Sequence, residues 1–471
     1  MARRDDRLTD LGIAAAAAEI RSGRLSPVDL ADSYLERIAR LNPAINAYVT
    51  VTGERARADA RRAADEIAKS GPRGPLHGVP IALKDLCDTA GIRTTAGGKF
   101  FADRVPDADC TVARRLREAG SVLLGKLNTH EFAYGVTTDN PHFGATRNPW
   151  DPSRIPGGSS GGSGAAIAAS LAAGTIGTDT GGSIRIPAAL CGAVGLKPTY
   201  GRVSKAGIFP LSFLFDHAGP ITRTVEDAAI LLAAIAGYDA ADPTSERVPT
   251  DRYADSLARD VKGLRIGVPR RYFYERLDPE VEAALESALA VLGSLGARVQ
   301  DVDLPTADAA VRALFGLVLA EAKHIHAERW SARPHDFGAD VAQILSHATP
   351  SGADLVAALD ATYALTRAMR ETLETVDVLA TPTTPIPAVE IGRQSVRIGG
   401  IDESPILAMI RFTAPFNATR LPALSIPCGF TRGGLPIGLQ LAGRPFDEST
   451  VLAVGHAYEQ ATDWHRRRPA P

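Results

Sequence analysis

Two serines lie in runs of small residues, Gly157-Gly158-Ser159-Ser160-Gly161-Gly162-Ser163-Gly164 and Asp179-Thr180-Gly181-Gly182-Ser183, and a lysine, Lys84, closes the apolar run Val79-Pro80-Ile81-Ala82-Leu83. Hydroxyls without bulky neighbours are open to a reactant, and glycine lets backbone N–H groups come close to a ligand. Burial at the end of a strand lowers a lysine's pKa, and the neutral amine can accept a proton. Serine activated by lysine is an alternative to Ser-His-Asp, so acyl transfer to a serine is the chemistry these residues fit. Thr180, Gly181, Gly182 and Ser183 would then form a main-chain oxyanion hole, in which the loss of one donor costs about 3–4 kcal/mol.

Competing readings use the same residues. Glycine-serine runs serve as linkers, but here an apolar, helix-like segment follows immediately and a second Gly-Gly-Ser recurs downstream. A phosphate loop would need Gly-Lys-Ser/Thr after the glycines, which is missing. Gly157-Gly158-Ser159-Ser160-Gly161 also satisfies G-x-S-x-G, so an α/β-hydrolase esterase using Ser159 is an alternative. That reading needs a strand before the serine, where Asn148 to Pro156 carries three prolines instead. A lone lysine is usually a surface or ion-pair residue, and only its placement relative to the two serines sets Lys84 apart. His324-x-His326 do not share a helix face, so they read as solvated or half-buried rather than as a metal site.

The surrounding elements must position these groups. Ser26-Pro27 marks a helix start, with Leu30, Tyr34, Ile38 and Leu41 at helical spacing, and residues 1–65 read as an N-terminal helical clamp. From Val79 onward strands alternate with helices: strand Val79–Leu83, helix Thr111–Ala119, strand Val122–Gly125, helix Gly164–Ala173, strand Thr175–Thr178. Further strands are expected at 264–269, 376–380, 423–427 and 437–441, and a helix at 281–292. The alternation predicts an α/β fold with a large mixed, mostly parallel central sheet flanked by helices on both faces. All 471 residues read as one domain, with a more variable, mostly helical, pocket-capping region at about 240–375.

Hydrophobic residues make up 45% and charged residues 23% of the chain, an ordinary globular mix. A formal net charge of −2 argues against nucleic acid or an anionic membrane as the main partner. Cys87, Cys110, Cys191 and Cys428 are far apart in sequence with no CxxC pair, which signals neither a disulfide framework nor a zinc site. A cytoplasmic setting is expected, without a signal peptide or membrane span.

The glycine-serine runs and the upstream lysine resemble the amidase signature family of serine hydrolases. Gly125-Lys126-Leu127-Asn128-Thr129-His130-Glu131-Phe132, Gly192 to Thr199 and Gly219-Pro220 extend the resemblance to roughly residues 10–460. It implies Ser183 as nucleophile, Ser159 as a proton relay on a cis peptide bond and Lys84 as general base. Ser160, Asp179 and Arg185 would hold the loops. Asp216-His217, which invites a Ser-His-Asp reading, would be structural. No cofactor or metal is implied.

The resemblance points to free-standing bacterial amidases and to the glutaminase subunit of tRNA-dependent amidotransferases. That glutaminase usually carries arginines after Phe337-Gly338, where this chain has Ala339-Asp340-Val341-Ala342-Gln343-Ile344, and an aspartate where this chain has Ile410. A neutral or aryl amide, with ester and carbamate (urethane) cleavage in range, therefore fits better than zwitterionic glutamine. Arg411 and Arg420 keep a carboxylated amide in play. Tyr134, Gly135, Phe209, Phe213, Phe215 and Ile410 are expected to line the pocket. The expected partners are a small amide, ester or carbamate and at most a second copy of the chain.

Overall fold

A computed structural model of the protein describes residues 6–304 and 307–470; residues 1–5 of the N-terminal segment, 305–306 of the middle region and 471 lie outside the described residues. An eleven-stranded sheet crosses the molecule. Its strands are β1 (Tyr48–Val51), β2 (Pro80–Lys84), β3 (Val122–Leu127), β4 (Gly174–Asp179), β5 (Val194–Lys197), β6 (His217–Thr222), β7 (Arg265–Val268), β8 (Arg298–Asp301), β9 (Val378–Pro382), β10 (Ala423–Phe430) and β11 (Pro436–Ala442). The spatial order is β1-β3-β2-β4-β6-β5-β10-β11-β9-β7-β8.

The sheet is mixed and carries helices on both faces. Cβ atoms on successive strand residues point to opposite faces. In β4, a Cβ at Gly174 would meet Ile13 and Leu231, whereas one at Gly177 would meet Ser160 and Ile184. The helices Ile13–Arg21 and Val225–Ile235 therefore cover one face, and the Ser160 and Ile184 segments the other. The parallel pairing read from the alternation is found in β3-β2-β4 and in β9-β7-β8. Between these flanks the ladders are antiparallel, because β6, which the alternation does not reveal, inserts beside β4 and reverses the direction.

The N-terminal segment is helical over Ile13–Arg21, Pro27–Ile45 and Gly53–Ser70, and Ser26 caps the second helix by accepting from the Val28 N–H at 3.2 Å. Leu30, Tyr34 and Ile38 are buried as their spacing requires. The segment is not helix alone: β1 lies within it and pairs antiparallel with β3, which closes that edge of the sheet. The middle region likewise contributes β7 and β8 to the opposite edge before turning helical over Ala307–Ile325, Ala339–Ser346 and Gly352–Thr375. No described helix is long and apolar enough to cross a membrane.

One core carboxyl sets a pH dependence of stability. Glu459 is buried and accepts from the Val225 N–H at 3.0 Å, and burial raises its pKa from 4.5 to about 8. Between pH 4.5 and about 8 the native state keeps a proton that the unfolded chain has lost, so stability falls as pH rises through this window. Glu459→Gln, whose amide oxygen can still accept from Val225, is expected to melt above the wild type at pH 9 and to lose that advantage near pH 5. Melting curves at the two pH values check this.

Candidate active site

Lys84 ends β2 and is fully buried. Its Nζ lies 2.7 Å from Ser159 Oγ and 2.8 Å from Thr178 Oγ1, on the neighbouring strand β4. Burial lowers its pKa from 10.5 to about 7, with the nearby Cys87, Asp216 and Asp179 pulling the other way. Near neutral pH the amine is therefore partly deprotonated and can accept a proton from a hydroxyl that is already in contact.

Ser159 is buried, and the Gly158–Ser159 peptide is cis. The Ser159 carbonyl accepts from the His130 N–H at 3.1 Å and from Thr138 Oγ1 at 3.2 Å. The next residue begins the helix Gly161–Ala168: Ser160 Oγ donates to the Thr178 carbonyl at 3.1 Å and accepts from the Thr178 N–H at 3.2 Å. The Ser160 N–H reaches the Ser183 carbonyl at 3.2 Å, joining the two serine loops directly.

Ser183 is 4% exposed and follows β4 through Thr180-Gly181-Gly182. The backbone N–H groups of Thr180, Gly181, Gly182 and Ser183 have no acceptor among the described residues. Thr180, Gly182 and Ser183 are buried and Gly181 is half-buried; buried main-chain donors are rarely left unpaired, so this run suits a ligand oxyanion. Gly182 has φ +139°, and a Cβ there would collide with Thr413 Oγ1, so the turn requires glycine. Thr413 Oγ1 donates to the Gly181 carbonyl at 2.6 Å and fixes that peptide's direction.

Beneath the loop lies an ion pair with no exposure on either side chain, Arg185 Nη2 to Asp179 Oδ1 at 2.9 Å. Asp179 Oδ2 also accepts from Arg185 Nε at 3.0 Å and from the Ile184 N–H at 3.1 Å, and the remaining guanidinium hydrogens reach Asn417 Oδ1 at 2.6 Å, Gln440 Oε1 at 2.7 Å and the Thr413 carbonyl at 2.9 Å. Burial opposes the Asp179 charge, but Arg185 outweighs it and holds the carboxyl well below the usual range. Removing one member of such a pair strands the other charge, so Asp179→Ala is expected to cost about 3–5 kcal/mol. Chemical denaturation checks the magnitude, and a loss under about 1 kcal/mol would make the pair dispensable.

Asp216 and His217 are tied to the frame. Asp216 Oδ1 accepts from Thr180 Oγ1 at 2.5 Å, and Oδ2 from the Leu211 and Ser212 N–H groups at 2.9 and 3.0 Å. His217 Nδ1 lies 2.6 Å from the Phe215 carbonyl and 3.1 Å from that of Asp179. Neither side chain has a hydrogen bond to Ser159 or Ser183 among the described residues. His324 is exposed, whereas His326 is fully buried, not solvated or half-buried as its spacing suggests. It packs 4.5 Å from the Phe132 ring centroid with Phe209 and Phe337 around it, and burial lowers its pKa to about 4. No metal-holding cluster occurs among the described residues.

The expected pocket residues fall into separate places. Ile410 Cγ2 lies 3.6 Å from where a Cβ on Gly181 would sit, with Leu314 Cδ2 at 4.0 Å. Gly135 is pressed against the His130 ring, and Tyr134 beside it is half-buried. Phe209 belongs to the aromatic cluster, 5.4 Å from Phe132 and 5.5 Å from Phe101. Phe213 is 50% exposed, and Phe215 is buried along a cavity of about 400 Å³ that it shares with Tyr200, Arg370 and Arg420. Thr178, Thr413, Asn417, Gln440 and Leu314 enter the site without a sequence signal of their own.

The fold thus brings a buried lysine and the two buried serine loops side by side. A family model described as Amidase matches residues 29–452. The chain belongs to the amidase signature family and is an enzyme that hydrolyses the C–N bonds of amides. It is 43% identical over 477 residues to a glutamyl-tRNA(Gln) amidotransferase subunit of Geotalea daltonii, covering 96% of this chain and 97% of that one. An amidase of Pseudomonas putida is 44% identical over 470 residues, covering 98% of each. A solved structure from work on a vestigial protein complex and the origins of an s-triazine catabolic enzyme superposes with a TM-score of 0.92 at 36% identity, over 96% of this chain and 98% of that one.

Proposed function

We propose that the protein hydrolyses neutral or aryl amides, with ester and carbamate cleavage in range, through an acyl-enzyme on Ser183. In this reading the Ser183 hydroxyl attacks the acyl carbon while its proton passes to Ser159, whose own proton goes to neutral Lys84. The carbonyl electron pair moves onto an oxygen held by the free N–H groups of residues 180–183. Collapse breaks the C–N bond as the proton returns along the same path to the leaving amine. Water then attacks the acyl carbon and gives its proton along the same path, and collapse breaks the bond to Ser183 Oγ, which takes the proton back as the carboxylic acid leaves.

The observation that carries the substrate class is the apolar flank of the oxyanion loop, Ile410 and Leu314 against Gly181. Gln343 is exposed, and both Arg411 Nη1 contacts go to Glu403 at 2.9 Å, so neither is committed to a substrate carboxylate. Arg420 stacks 4.4 Å from the Tyr200 ring centroid instead. A second reading, the glutaminase subunit of a tRNA-dependent amidotransferase with its partner chains, is favoured by the naming of the Geotalea relative. Relatives named as that subunit, at 42–43% identity, outnumber the amidase relative at 44% and favour the second reading, so our preference for the first rests on the side chains.

A matched series of an anilide, an ester, a carbamate and glutamine tests the choice. Turnover of the neutral compounds with glutamine spared is the expected result. Release of ammonia from glutamine alone would establish the second reading.

A further inference from the structure

Two arginines from distant parts of the chain line one cavity of about 400 Å³: Arg370, on the helix Gly352–Thr375, and Arg420, two residues after the helix Ala414–Ala418. Both are exposed, and among the described residues neither side chain has an ion pair or a hydrogen bond. Arg420 lies instead against the Tyr200 ring, 4.4 Å from its centroid. Its backbone fixes that placement. The φ angle is +62°, a left-handed conformation uncommon for a residue other than glycine. The Arg420 N–H donates to the Asn417 carbonyl at 3.0 Å, and its carbonyl accepts from the Tyr200 N–H at 3.2 Å. A third cation, Lys205, stands 4.1 Å from the same ring centroid and has no ion pair among the described residues either. Glu246 is the one acid on the cavity lining, and it pairs with neither arginine. Asp216, close enough to feel the Lys205 charge, gives its oxygens to Thr180 Oγ1 and to the Leu211 and Ser212 N–H groups.

We infer that this cavity is a second binding site, for a carboxylate with an apolar body. Cations gathered without acids of their own repel one another, and a cleft lined by one sign of charge concentrates the opposite ion. The stack on Tyr200 covers a face of the Arg420 guanidinium and leaves its N–H edge free, the part that takes a carboxylate through two parallel hydrogen bonds. Arg370 supplies the second cation. Leu214, Phe215, Leu359 and Phe446 on the same lining give the ligand's body an apolar wall, and the volume lies in the range of small-molecule sites.

The lining favours a carboxylate over a phosphate. A phosphate has more oxygens to satisfy, and the hydroxyls that line the cavity at Thr362, Thr366 and Thr419 already donate to the carbonyls of Ala358, Thr362 and Pro415 at 2.8, 2.7 and 2.8 Å. None of Lys84, Ser159 and residues 180–183 lines the cavity, so its occupant is held apart from the serine loops.

Isothermal titration of the folded full-length protein with benzoate, benzyl alcohol and inorganic phosphate tests this. Expected is a saturable benzoate site whose affinity falls by about tenfold or more in Arg370→Gln and again in Arg420→Gln, since each removes a charge-assisted contact. Arg432→Gln, at an arginine whose side chain is 93% exposed and which lines no part of the cavity, should stay within about twofold of the wild type. Benzyl alcohol, which keeps the ring and lacks the charge, should bind at least about tenfold more weakly than benzoate. No benzoate binding, benzoate binding that both cavity variants keep, or benzyl alcohol binding as tightly as benzoate would overturn the inference. Phosphate bound more tightly than benzoate would overturn the carboxylate assignment. Should Arg420→Gln fail to fold, Arg370→Gln decides alone, because its exposed side chain has no partner among the described residues to lose.

Discussion

Ser183→Ala is expected to lower kcat/KM for a neutral anilide by about 10⁵-fold or more, with the melting temperature unchanged. The hydroxyl is small, and the frame around it, the Asp179–Arg185 pair, Thr413 and the Ser160 N–H, does not depend on it. Ser159→Ala should also be severe, since it removes the hydroxyl that lies 2.7 Å from Lys84 Nζ and leaves Thr178 Oγ1 as that amine's remaining hydroxyl partner among the described residues. The two variants separate the readings. A Ser159 nucleophile of the G-x-S-x-G kind predicts that Ser183→Ala keeps substantial activity, and progress curves of the two variants on one anilide distinguish the cases.

The second large effect belongs to Lys84. Only the neutral amine can take the proton, so kcat/KM should rise with pH in a single step through about 7 and level off above it. An optimum near pH 5 would remove Lys84 from the role of base. Lys84→Met should lose about 10³-fold or more, because general base catalysis contributes about 10²–10⁴-fold and the serine relay depends on it. The variant should nonetheless fold. A pKa lowered from 10.5 to about 7 means that burying the ammonium costs roughly 5 kcal/mol near neutral pH. That exceeds the ~1–3 kcal/mol of leaving buried hydroxyl partners unsatisfied. The sign is fixed by linkage: from about pH 7 to 10.5 the unfolded chain holds a proton that the native state has released, so the wild type gains stability as pH rises there. Lys84→Met lacks this gain and should melt at or above the wild type at pH 7, as calorimetry can show.

Much of the site was legible in the chain because its chemistry sits in local runs. Glycine-serine segments, a lysine at a strand end and Asp179 six residues before Arg185 lie within short stretches whose spacing carries meaning. The groups that hold them do not. Thr178 reaches Lys84 across a parallel ladder, and Thr413, Asn417 and Gln440 come from more than 220 residues away. Single threonines, asparagines and glutamines have no pattern by which to be found.

The fold divides likewise. Strands made of apolar runs, such as β2, β4, β10 and β11, were visible, whereas β6 was not. His217-Ala218-Gly219-Pro220-Ile221-Thr222 contains a glycine and a proline, which argue against a central strand. Yet it lies between β4 and β5, with Pro220 opposite Ile176. Missing that strand meant missing the antiparallel centre of the sheet. The aromatic placement also depends on tertiary packing. Phe209 and His326 share a cluster with Phe132 and Phe337, while Phe215, six residues from Phe209, faces a different cavity.

Trapping the acyl-enzyme asks which hydroxyl attacks the substrate. The enzyme is mixed with an activated ester whose deacylation is slow, quenched in acid, digested and mapped by mass spectrometry. One acyl group is expected on the peptide that holds Ser183, formed faster as pH rises through about 7 and absent from Ser183→Ala. An acyl group on Ser159, or full turnover with no acyl-enzyme under these conditions, would remove Ser183 from the role of nucleophile.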